Sequence, residues 1–177
     1  MSNAESSTHR QTMLEEWQTG ARILANGHYD ASKRDSLWND ILGATVIAAT
    51  VAVGSTIFAS LGSSTERGWQ IAAGIISMSA TLLASEQKYL RLEERATQHR
   101  EAGRVYQALR QEIEVALTRL QDGVAVSDDE IAAIKSRRDD IEKTAPTVPS
   151  GIYKRVLQEI MKSKNNPDKG AVGSMAT

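Results

Sequence analysis

Two stretches of this chain contain no charged residue, and they constrain its fold more than any other feature. The first, 41–62, reads ILGATVIAATVAVGSTIFASLG, and the second, 69–85, reads WQIAAGIISMSATLLAS, with only SSTERG between them. At a helical rise of 1.5 Å per residue these runs span about 33 Å and about 26 Å. A hydrocarbon core is about 30 Å thick, and helices that cross it use roughly 17–25 residues. The pattern predicts a two-transmembrane helical hairpin with a minimal outer turn. The competing arrangement is a hairpin buried inside a soluble bundle, but too few apolar residues remain elsewhere to wrap two helices that are apolar all round.

The averages point the other way. Over 177 residues the chain is 41% hydrophobic and 24% charged, with a formal net charge of −1, and its mean hydropathy is −0.35. Those figures describe a helix-rich chain of single-domain size only because they average apolar spans with strongly polar flanks. The absence of cysteine excludes a disulfide scaffold and Cys-ligated zinc. The near-neutral charge argues against a double-stranded DNA binder, whose domain is usually basic.

Basic residues set the predicted orientation. Lys33 and Arg34 precede the first run, Lys88, Arg91, Arg95 and Arg100 follow the second, and the intervening turn carries only Arg67 beside Glu66. Positive flanks stay on the cytoplasmic side, so both termini are expected in the cytoplasm and the hairpin in the bacterial inner membrane. Trp38 and Trp69 sit at span edges, where an indole prefers the interface. The first run starts too far into the chain, and is too long, for a signal peptide. Thr45, Ala48, Ala52, Ser55, Thr56 and Ala59 gather on one face of the first span, and Ser77 and Thr81 belong to a similar stripe on the second. Small and hydroxylated stripes let membrane helices pack closely. The same residues would line a pore if several hairpins assembled, and such pores gate by dewetting. Neither span contains an ionisable group, so a proton relay or voltage sensor has no candidate.

The flanks read as helices too, giving an all-α chain with long cytoplasmic extensions. Met13, Trp17, Ala21, Leu24 and His28 recur at helical spacing, with no strong breaker before the first span. Ala102, Tyr106, Leu109, Ile113, Ala116, Leu117 and Leu120 form a second stripe ending near Asp122-Gly123. Ser127-Asp-Asp-Glu130 is a capping box that opens a helix carrying Ile131, Ile134 and Ile141. Pro146 and Pro149 stop that helix, and Ser150 is placed to cap a last one with Ile152, Val156 and Ile160. The predicted organisation is a flexible 1–9, a core over 10–121 with spans at about 41–62 and 69–85, cytoplasmic helices over 127–162, and a disordered 163–177. His28 lies thirteen residues before the first run and His99 fourteen after the second. If the helices continue straight as an antiparallel pair, both imidazoles fall at one level, about 20 Å below the membrane. Hydrogen-bonded packing, pH sensing and a ligand site all remain open for such a pair.

An N-terminal helix carrying a His, two spans with a minimal loop, the segment ATQHREAGRVYQAL at 96–109, and Ala145-Pro-Thr-Val-Pro149 followed by Tyr153 together resemble the SLATT domain family. The resemblance covers roughly residues 10–162. It implies a pore-forming membrane effector of a bacterial antiphage defence system, controlled by a nucleotide or oligonucleotide signal from a companion nucleotidyltransferase. A bound signal would need convergent Lys or Arg donors for its phosphates. Candidates are Arg91, Arg95, Arg100 and Arg104, with His28, His99 and Tyr106 nearby in the pattern, and Lys154 and Arg155 on the last helix. Acidic neighbours such as Glu93, Glu94 and Glu101 offer these arginines ordinary helical salt bridges instead. No catalytic or metal-ligating constellation stands out and no cofactor is expected. A hairpin cannot enclose a water path alone, so a pore needs a homo-oligomer, for which four copies is a geometric guess. The alternative is a membrane-anchored adaptor that recruits a cytoplasmic partner without a pore.

Overall fold

A computed structural model describes the backbone at residues 3–60, 75, 78 and 91–165, with side chains described over 7–52, 75, 78 and 91–165. All the described elements are helices: α1 Asn3–Ser60, α2 Leu92–Gln121, α3 Asp128–Thr144 and α4 Ser150–Asn165. The chain divides into two compact units, one of residues 1–32 with 97–177, the other of residues 33–96.

The first unit is a bundle built on the predicted stripes. Leu14, Ala21 and Ala25 of α1 pack with Tyr106, Leu109, Ile113, Ala116 and Leu117 of α2 and with Ile134 and Ile141 of α3. A second cluster joins Ile23 and Ala31 of α1 to Ile152, Val156 and Ile160 of α4. Because α1 serves two clusters, its buried set is broader than one stripe. Leu14, Ile23, Ala25 and Ala31 are buried, whereas Met13, Trp17 and Leu24 are half-buried. Gly103 on α2 lets α1 approach closely: a Cβ there would stand 3.1 Å from Cε1 of Tyr29.

Local capping follows the sequence, with one exception. The Ser127 hydroxyl accepts the Glu130 N–H at 3.2 Å, as the capping box requires. The end of α2 is a Schellman turn: Val124 N–H donates to the Arg119 carbonyl and Gly123 N–H to the Leu120 carbonyl, with Gly123 at φ 77°. Gly123→Ala forces a side chain into that left-handed geometry although space is open around it. It is expected to cost about 1 kcal/mol, read as a lowered denaturation midpoint of the bundle. The exception is Ser150, which is the first helical residue of α4 rather than its cap. The Pro149 carbonyl receives the N–H groups of Ile152 and Tyr153.

Other boundaries also move. Helix α1 begins at Asn3, inside the segment expected to be flexible. Arg10 ties it down, donating to the Val126 carbonyl at 3.1 Å and pairing with Asp128 at 2.8 Å. At the other end α4 continues to Asn165, past the expected start of a disordered tail, whose remainder lies outside the described residues. A straight helix leading from the second run to His99 is not observed. Arg91 has φ 46°, a left-handed geometry that an L side chain adopts only at a cost, and α2 starts after it.

In the second unit α1 remains helical through Ser60, so residues 41–60 of the first run are helical without interruption. Leu42, Val46 and Ala49 are half-buried, whereas Thr45, Ala48 and Ala52 are exposed. Ile47 and Val51 are also exposed, at 67% and 63%. Among the described residues no helix is long and apolar enough to cross a membrane. The described side chains of the first run end at Ala52, and of the second run only Ile75 and Met78 are described, both helical and exposed. Ser55, Thr56 and Ala59 have a described helical backbone only, and Ser77, Thr81 and Trp69 lie outside the described residues.

Candidate functional site

The bundle brings three of the predicted site residues together. His28 on α1 and His99 and Tyr106 on α2 are all buried. His28 Nδ1 and His99 Nδ1 stand 2.9 Å apart, a hydrogen bond across 71 residues of sequence. Their ring centroids are 5.1 Å apart. The Tyr106 ring stacks on His28 at 5.5 Å with an interplanar angle of 16°. On α2 the spacing from His99 to Tyr106 is two helical turns, which puts both on the face that meets α1.

This geometry fixes the protonation chemistry. One Nδ1 carries the proton and the other accepts it, so two neutral rings in this contact hold different tautomers. A second proton at this contact would set two N–H groups against each other. Burial, and secondarily the charge of a protonated His99, lower the His28 pKa from 6.5 to about 4. At neutral pH His28 is an uncharged ring that offers hydrogen bonds but no charge to a phosphate. Burial also raises the Tyr106 hydroxyl, as does the nearby Glu142 carboxylate, while Arg138 opposes them. Tyr106, Arg138 and Glu142 line a cavity of about 330 Å³ together with Trp17 and Leu24. There the Arg138 guanidinium lies 5.5 Å from the Trp17 ring centroid, a cation–π contact. Among the described residues no group of three or more His, Cys, Asp or Glu side chains is placed to hold a metal ion.

The remaining candidates are not part of that hydrogen-bonded and stacked set. Arg91, Arg95, Arg100 and Arg104 are exposed. Arg91 pairs with Glu94 and Arg104 with Glu101, each at 3.5 Å, the local helical pairings that their acidic neighbours offered. Such exposed pairs contribute little to stability. Lys154 is exposed on α4, and Arg155 beside it reaches Asp30 on α1 at 2.8 Å. Arg34, one of the two basic residues ahead of the first run, is engaged by the buried Asp35 at 2.8 Å.

Comparison with family models, curated proteins and solved structures returned no match. The site is therefore read from its own geometry. Sequence reasoning overlooked Arg22, Arg110, Arg138, Glu142 and Lys164, all of which line clefts in the bundle. Arg110 directly follows the core residue Leu109, and Arg22 lies between the core residues Ala21 and Ile23. A basic residue flanked so closely by a buried stripe was the available signal.

Proposed function

We infer that this chain is a membrane effector of a bacterial antiphage defence system. In this reading it assembles as a homo-oligomer and forms an inner-membrane pore or ion channel controlled by a nucleotide-type signal. The observation that carries the membrane part is helix α1. Its first half packs a polar-surfaced bundle, yet the same helix continues from Ile41 to Ser60 without a charge. There it exposes Ile47 and Val51, side chains whose exposure to water is unfavourable and whose exposure to lipid is not. The small residues Thr45, Ala48 and Ala52 are likewise exposed, which suits them to contact other copies or a water path. The two described hydroxyls in this segment are already satisfied: Thr45 and Thr50 donate to the carbonyls of Ile41 and Val46. A pore lined in this way has a weakly polar wall, suited to gating by dewetting. The nucleotide part is supported by the likeness to the SLATT family and by basic residues on the bundle.

Reconstitution tests the reading. Purified protein in liposomes is expected to pass potassium ions, at a rate that nucleotides change. Thr56→Leu and Ser77→Leu are expected to alter the flux severalfold while the oligomer stays intact. No flux with or without nucleotides would leave the adaptor reading, in which the hairpin is an anchor and the bundle a docking platform. Extraction without detergent would overturn both in favour of a buried hairpin.

A further inference from the structure

Helices α1, α2 and α4 line a second cleft on the bundle, of about 550 Å³, which contains none of the arginines that the sequence pattern offers as phosphate donors. Each helix contributes one cation to its lining: Arg22, Arg110 and Lys164. Among the described residues Arg22 and Lys164 form no ion pair. Arg110 is the informative one. Its side chain is only 27% exposed, and its one ion pair, to Glu114, is loose at 3.6 Å. Its Nε is buried without a hydrogen-bond partner. A guanidinium has five N–H donors, and leaving a charged donor group buried and unpaired is costly. Gathering three cations at one cleft adds like-charge repulsion, which a bound anion would relieve.

The rest of the lining limits what the anion can be. Glu15 and Glu114 share the cleft, so a compact polyanion alone would meet repulsion as well as attraction. Leu117 and Ile160 supply an apolar wall. The volume lies in the range that holds a medium-sized organic ligand. We propose that this cleft binds a nucleoside phosphate, its phosphate held by Arg22, Arg110 and Lys164 and its sugar hydroxyls or base amine donating to Glu15 and Glu114. The proposal rests on the nucleotide-signal reading only for the origin of the ligand, and the lining contains none of Arg91, Arg95, Arg100 and Arg104.

Titration calorimetry of the full chain in detergent, with ADP as the probe and inorganic phosphate and adenosine as separate arms, tests it. ADP is expected to bind one site per chain, more tightly than either fragment, with affinity falling as salt rises. Arg110→Gln and Arg22→Gln should each weaken ADP about tenfold, the usual scale for a lost charge-assisted hydrogen bond. Lys135→Gln, on an exposed part of α3 outside the cleft, should not. Arg22 is exposed, so its replacement is expected to leave the helical circular dichroism intact even if Arg110→Gln does not fold. Absence of saturable ADP binding would overturn the proposal. So would phosphate binding as tightly as ADP, or affinity lost in Arg100→Gln and Arg104→Gln but retained in Arg22→Gln. Binding without an effect on liposome flux would keep the cleft and overturn nucleotide control. A flux response that survives Arg22→Gln and Lys164→Gln would do the reverse.

Discussion

Lowering the pH from about 7.5 to about 4 is expected to remove on the order of 2–3 kcal/mol of bundle stability through the buried pair of His28 and His99. The folded His28 titrates near 4, against 6.5 for an unperturbed histidine. Above about pH 6.5 the ring is neutral in both states and its contribution is complete. Between pH 6.5 and pH 4 the unfolded chain takes up a proton that the buried ring refuses, so stability falls as pH falls, by about 1.4 kcal/mol per unit. Hydrogen exchange of α2 and α3 amides reads this locally, without requiring the rest of the chain to unfold. His28→Asn removes the titrating group and should flatten the slope over this window. Parallel pH profiles for wild type and variant would show that carboxylate ion pairs, not the histidine pair, govern the acid response.

The second large effect is expected at Leu109. It is 1% exposed, and it packs in the cluster that joins α1, α2 and α3. Leu109→Ala should cost about 2–5 kcal/mol, the sum of lost burial and the cavity left behind. Val105→Ala, one turn earlier on the same helix but 37% exposed, should change stability by about 0.5 kcal/mol or less. Equal effects at the two positions would mean that the bundle core is not the one described.

Much of this bundle was legible because its signals are local. The α2 stripe, the Ser127 cap and the glycine that ends α2 each follow from residues within a few positions of one another. The matched depth of His28 and His99 was also readable, since it needs only the helical rise and an antiparallel arrangement. Their 2.9 Å contact holds even though Arg91 interrupts the straight path assumed in placing them. What escaped is whatever depends on a third helix. The α1 stripe was too narrow because nothing local reveals that α4 covers Ile23 and Ala31. Likewise the cleft of Arg22, Arg110 and Lys164 draws on positions far apart in sequence, and no spacing rule connects them. Conversely Arg104 is a candidate phosphate donor by sequence, but it is drawn to its own neighbour Glu101.

The hydrogen bond between His28 and His99 also carries a consequence for biosynthesis. Everything between these two residues must leave the ribosome before α1 can meet its partner helix. At about 5–20 residues per second that delay is on the order of ten seconds. During it, Leu14, Ala21 and Ala25 have no core to enter, and the closing contact must span a long loop. The apolar run at 41–62 emerges within that interval. The α1 segment therefore emerges well before the bundle it packs into exists, and a chaperone that shields the first thirty or so residues is expected to raise the yield of folded protein.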